Sequence, residues 1–91
     1  MNEYKVRVQS KFKKNFKKIV RGGRYHPADF KIVLDQLVNH QPLPAHYNDH
    51  ALVNRFPERE LHIKPDWLLV YRYHGQYLEL IDTGSHSDLF R

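Results

Sequence analysis

The chain has 91 residues, enough for one domain (1–91) with a single modest core and too few for a deep enclosed pocket. It has no cysteine, which excludes disulfides and thiolate metal centres, and no apolar run long enough for a membrane span or a secretory signal core, so a cytoplasmic protein is expected. The net charge of +5 is unevenly spread: residues 1–24 carry nine Lys and Arg against one Glu, a net of +8, and residues 25–91 carry six against nine, a net of −3.

Glu3 to Val8 alternates and reads as a first strand, with Tyr4, Val6 and Val8 towards the core. Ser10 is the expected N-cap of a helix. Phe12, Phe16, Ile19 and Val20 then fall on one helical face, and Lys11, Lys13, Lys14, Lys17, Lys18 and Arg21 cover the rest. Gly22-Gly23 stops this helix, and Pro27 suits the first turn of a second. Phe30, Val33, Leu34, Leu37 and Val38 give the second helix its apolar stripe. Two such helices, joined by a short loop, predict an antiparallel hairpin laid on a sheet.

Gln41-Pro42-Leu43-Pro44 starts a loop that runs to about Leu52 and contains His46, Tyr47, Asp49 and His50. Asn54 to Phe56 reads as a short strand. Leu61 and Ile63 alternate with Glu60, His62 and Lys64, the pattern of a half-buried strand. Pro65-Asp66 is turn chemistry, and Trp67 to Tyr73 is a run of large apolar and aromatic residues suited to a central strand. A turn at Gly75 leads to a last strand from Tyr77 to about Asp82. This order predicts an α+β fold: an N-terminal strand and a two-helix hairpin on a mostly antiparallel sheet of four to five strands.

Seven histidines are many for this length. His26, His40 and His74 sit beside a proline, a helix end and a turn, where a structural role suffices. His46 and His50 have H-x₃-H spacing, but the prolines before them argue for a loop rather than a metal-binding helix. His50, His62 and His86 lie in a loop, on a strand and in the tail, places that one edge of a small sheet can bring together. The basic first helix reads either as a solvated face or as a surface for phosphates.

Three blocks carry a specific resemblance: Tyr47-Asn48-Asp49-His50-Ala51-Leu52, Leu61-His62-Ile63-Lys64-Pro65-Asp66-Trp67, and Thr83-Gly84-Ser85-His86-Ser87-Asp88-Leu89-Phe90. In this order and spacing they resemble the YafQ-type branch of the RelE-like toxins, the toxin halves of bacterial type II toxin–antitoxin systems. The resemblance covers essentially the whole chain and implies the RelE-like fold. It also implies a metal-independent endoribonuclease, with no cofactor, that enters the ribosomal A site and cuts the mRNA codon there. The mRNA's own 2′-hydroxyl is the nucleophile, so the enzyme needs a base, an acid and positive charge for the transition state. Imidazoles suit the first two near neutral pH.

Carried over residue by residue, His86 matches the family's C-terminal catalytic histidine, the general acid. His50, His62 and Asp66 match the other catalytic positions, with Asp66 or His50 as base. Phe90 matches a terminal aromatic that positions a nucleobase. Trp67 matches a substrate-binding position and reads equally as a core anchor. Arg72 is the candidate for charge stabilisation. The lysine-rich helix, Lys11 to Arg21, becomes the contact with ribosomal RNA. The implied partners are a cognate antitoxin, the ribosome with its mRNA, and operator DNA through the antitoxin complex.

Two other classes compete. A basic nucleic-acid-binding or antitoxin-binding module without catalysis would leave RNA uncut. A metal-dependent hydrolase built on His46 and His50 would need carboxylate ligands for which no tight motif is present. Codon preference is not legible in the sequence.

Overall fold

The structure, a computed structural model, describes residues 3–89. Strand β1 (Lys5–Val8) is followed by helices α1 (Ser10–Arg21) and α2 (Pro27–Val38), then by a 3₁₀ turn (Ala45–Tyr47). The remaining elements are strands β2 (His50–Ala51), β3 (Arg59–Lys64), β4 (Trp67–His74) and β5 (Tyr77–Gly84) and a last short helix α3 (His86–Leu89). The strands form one five-stranded sheet in the order β1-β5-β4-β3-β2. Every neighbouring pair is antiparallel except β1 and β5, which run parallel. A parallel pair needs a crossover connection, and the helix hairpin begins that path across the sheet. The predicted α+β architecture is observed.

Period-two alternation decides which side chains meet the helices. Leu61 and Ile63 of β3, Trp67, Leu69 and Tyr71 of β4 and Leu78 and Leu80 of β5 form the core with Phe12 of α1 and Val33 and Leu37 of α2. Burying each of these side chains contributes roughly 1.5–3 kcal/mol, so this one layer carries most of the stability. Phe12, Phe16 and Phe30 join the two helices, with ring centroids 5.0–5.7 Å apart. The Tyr73 hydroxyl donates to the Leu37 carbonyl at 2.7 Å, which ties the end of α2 to the central strand. β4 turns into β5 through Gly75, whose φ of 60° lies in the left-handed region that glycine enters without strain.

Three local expectations are corrected. The N-cap of α1 is Gln9, with extended backbone and no side-chain cap bond, and Ser10 is already helical. The helix begins one residue early because the Lys13 amide donates to the Gln9 carbonyl at 3.1 Å. Asn54 to Phe56 is not a strand; the short strand is His50–Ala51, and the segment after it turns, with Val53 92% and Phe56 87% exposed. Pro57 has no amide hydrogen for a ladder, so the residues leading into it leave the sheet. Val6 is 42% exposed, because β1 is an edge strand and the hairpin does not cover that position.

Candidate active site

The site begins with the alternation of β3. Leu61 and Ile63 point to the helices, so Glu60 and His62 fall on the opposite face. β2 pairs His50 with Glu60, which sets His50 beside them. Glu60 is only 4% exposed. Its Oε1 lies 3.5 Å from His50 Nε2 and 3.7 Å from His62 Nε2, so one buried oxygen faces two imidazoles.

Backbone carbonyls fix both rings from the other side. His50 Nδ1 lies 2.7 Å from the Asn48 carbonyl, and His62 Nδ1 lies 3.2 Å from the Pro65 carbonyl. A carbonyl can only accept, so each Nδ1 carries the proton and each Nε2 is the atom left to exchange one. Asn48 reaches its position with φ 50° and ψ 46°, a left-handed conformation that asparagine tolerates. The loop is anchored by the next residue. Asp49 accepts from the Tyr71 hydroxyl at 2.6 Å and from Arg59 at 3.3 and 3.4 Å. Burial, first, and then the Asp49 carboxylate push the Tyr71 hydroxyl well above its usual range, so it remains a donor.

The turn between β3 and β4 connects this cluster to the tail. Asp66 Oδ1 accepts the His86 backbone amide at 3.1 Å. Ser85 and Asp88 cap each other around the start of α3: the Ser85 amide donates to Asp88 Oδ2 at 3.0 Å, and the Asp88 amide donates to Ser85 Oγ at 3.2 Å. At Gly84, just before, a Cβ would stand 3.1 Å from the Asp88 Cβ, close enough that the Asp88 side chain would have to give way. His50, Glu60, His62, the Pro65-Asp66 turn and His86 thus form one continuous chain of contacts.

Other predicted residues are placed differently. Trp67 is fully buried, donates its indole N–H to Thr83 Oγ1 at 2.9 Å and packs on Tyr25 and Phe16. This corrects its expected substrate contact: the indole is a core anchor, with both its apolar body and its N–H used internally. Arg72 is held by Glu79, whose other oxygen takes Arg7 at 3.2 Å. The Arg72 hydrogen bond, ahead of the smaller pull of Arg7, holds the buried Glu79 carboxyl below the usual carboxylate range. By strand register Arg72 shares a face with Val70 and Glu60, but Glu79 is the group that engages it. Phe90 lies outside the described residues. The six basic residues of α1 are exposed, and Lys11 reaches Asp82 at 3.2 Å. Among the described residues no group of three or more His, Asp or Glu side chains is arranged to hold a metal ion. His46 lies in the 3₁₀ turn and His50 on β2, so their H-x₃-H spacing does not fall on one helix.

Sequence reasoning missed Glu60. Its signal was present: it shares the alternating face of His62, two residues away. What was lacking was the pairing of β2 with β3, which brings His50 to the same carboxylate.

A helix hairpin on one face of a mostly antiparallel sheet, with histidines and carboxylates gathered at one end, is the build of the RelE-like toxins of type II toxin–antitoxin systems. The structure superposes on that of the toxin in the Escherichia coli DinJ-YafQ complex with a TM-score of 0.86 and 30% identity, covering 98% of this chain and 100% of that one. A metal-bound toxin from Helicobacter pylori superposes with a TM-score of 0.90 and 37% identity, covering 96% and 99%. Residues 4–91 match the family described as bacterial toxin of type II toxin-antitoxin system, YafQ, and the chain belongs to that family. The mRNA interferase toxin YafQ of Escherichia coli strain K12 is 39% identical over 62 residues, 66% of this chain and 67% of that protein.

Proposed function

We propose that the chain, acting as one domain, is a ribosome-dependent and metal-independent mRNA interferase that halts translation by cutting mRNA in the A site. The observation that carries this is the Glu60 carboxylate between the Nε2 atoms of His50 and His62, joined through the Pro65-Asp66 turn to His86. Such a site suits transesterification within RNA. The 2′-hydroxyl loses its proton to a base and attacks the adjacent phosphorus. The bond from phosphorus to the 5′-oxygen breaks, and that oxygen takes a proton from an acid. The products are a 2′,3′-cyclic phosphate and a 5′-hydroxyl. Acid and base are both imidazole-range work, and the nucleophile comes from the substrate, so no metal-bound water is required.

The engagement of Asp66 with the His86 amide supports a positioning role for Asp66. His50, whose Nε2 is the exchangeable atom, then serves as base and His86 as acid. Arg72, fixed by Glu79, supplies positive charge near the reacting phosphate, and Phe90 stacks on a base. The same reading assigns the chain to the cytoplasm, where ribosomes are; among the described residues no helix is long and apolar enough to cross a membrane. A relative was solved as a toxin–antitoxin complex, and a chain of net charge +5 suits an acidic antitoxin as partner, with operator DNA reached only through that complex.

Induced expression in a bacterial host tests the reading, with growth recorded and mRNA 5′ ends mapped. The wild type should arrest growth and cut within translated codons. His86→Ala should lose both effects while still co-sedimenting with ribosomes. Arrest without cuts, or equal effects from the two proteins, would overturn it in favour of a non-catalytic binding module.

The lysines of α1 should act collectively. Replacing Lys13, Lys14, Lys17 and Lys18 together with Gln should weaken ribosome association and flatten its salt dependence, by about 0.7–0.9 in the log–log slope for each phosphate no longer neutralised. Co-sedimentation across a salt series checks this. An unchanged slope would mean that the helix is a solvated face.

A further inference from the structure

Beside the histidine cluster a groove of about 530 Å³ opens between α2 and β3, closed at one end by the 3₁₀ turn. Its walls include Ile32, His46, Tyr47, Asn48, His62 and Lys64. Two of these belong to the active site: His62 directly, and Asn48 through the carbonyl that holds His50. A second groove of about 430 Å³ shares Asp29, Lys64 and Pro65 with the first and runs on to Asp66, Tyr25 and Arg24. The two together pass alongside both His62 and the carboxylate that ties down His86.

The lining follows a pattern. His46 is exposed, and its ring is backed by Tyr47 at 4.2 Å between centroids and 38° between planes. Ile32 is 55% exposed, an apolar side chain on the rim. Lys64 stands where the grooves meet, its ammonium 3.7 Å from Asp29 Oδ2, so it is aimed there without being buried. In the second groove the Arg24 guanidinium lies 5.4 Å from the Tyr25 ring centre. A backed planar ring, an apolar rim and a cation one step along are what a single-stranded nucleotide needs: a surface for its base and a charge for its phosphate. A duplex would hide the base face that His46 could stack on.

We propose that this groove is the subsite for the mRNA nucleotide next to the scissile phosphate, with its base stacked on His46 and the adjoining phosphate on Lys64. The assignment rests on the nuclease reading above and adds the residues that set the substrate's register. Asn48 gives the subsite a link to the chemistry. It lines the groove, and its carbonyl orients His50, so a seated base braces the loop that aims the imidazole.

The test uses the full chain and programmed ribosomes in two arms. The binding arm carries an mRNA with a 2′-deoxy nucleotide at the cut position, which cannot be cleaved. The cleavage arm carries ordinary mRNA with each of the four bases next to the cut. His46→Ala should weaken toxin binding in the first arm roughly tenfold, the scale of removing one base-stacking interaction. It should also level the differences between bases in the second. His46→Phe, which keeps a plane, should restore binding. Lys64→Gln should weaken binding equally for all four bases and reduce the salt slope by about one. Wild-type binding by His46→Ala, or no rescue by His46→Phe, would overturn the proposal. If the wild type bound through His46 and Lys64 but left ordinary mRNA intact, the groove assignment would stand and the nuclease reading would fall.

Discussion

Glu60→Gln is expected to slow cleavage by about 100- to 1,000-fold while leaving the fold intact. The size follows from what general acid–base groups contribute. The reason lies in the geometry: one buried oxygen faces the Nε2 atoms of both His50 and His62, and those are the only nitrogens of the two rings not committed to carbonyls. Glutamine has the same shape and keeps an acceptor, so packing on the sheet is preserved. It removes the charge that balances an imidazolium and leaves an amide whose orientation is ambivalent between two rings. Single-turnover cleavage on programmed ribosomes, set beside a thermal melt, separates the effects. A rate within threefold of wild type would reduce Glu60 to a packing residue. A second comparison sharpens the point: in a His50→Ala background the Glu60→Gln change should cost much less, because groups that act as a unit are not additive.

The largest effect on stability is expected at Trp67. Trp67→Ala empties the centre of the core, and aromatic-to-alanine changes in cores cost about 3–5 kcal/mol. Total stabilities are only about 5–15 kcal/mol, so this variant should be marginal. For a domain of this size its melting temperature should fall by more than about 12 °C. Trp67→Phe keeps most of the packing and loses the hydrogen bond to Thr83 Oγ1, a cost of about 0.5–1.5 kcal/mol. Thr83 still donates to the Leu68 carbonyl at 2.6 Å, so its hydroxyl is not orphaned. Cleavage per folded molecule should therefore stay within about threefold of wild type for Trp67→Phe. Loss of cleavage at unchanged melting temperature would mean that the indole touches RNA after all.

Most of the fold is legible in the sequence because it is written in local periodicity. The apolar spacing around Phe12 and Phe16, the Pro27 start and the strand–turn–strand of Leu61 to Tyr73 each carry their own signal within a dozen residues. Their observed spans agree closely with those signals. The failures lie where the answer depends on residues far apart in sequence. Asn54 to Phe56 reads as a short strand in the sequence, but no neighbouring strand takes it. His50 reads as loop because a two-residue strand has no periodicity, and only its pairing with Glu60 makes it one. The residues of the candidate site are found through motif resemblance. Their mutual contacts, and the role of Glu60 among them, require the sheet register. Trp67 shows the converse limit, since a motif position does not reveal which way a side chain points.

The parallel pairing of β1 with β5 has a consequence for the order in which the protein comes into being. Lys5 is matched to Tyr77, and Arg7 reaches Glu79 across 72 positions of sequence. β1 must therefore wait for β5, 72 positions later in the sequence, before it finds its neighbour. Such long-range pairing is slow to form, and a growing chain folds only what has already emerged. While it waits, the polypeptide has its helices but neither a completed sheet nor the segment that bears His86. On the proposed function, a nascent chain is therefore expected to be inactive until β5 and the segment that bears His86 have emerged and joined the sheet.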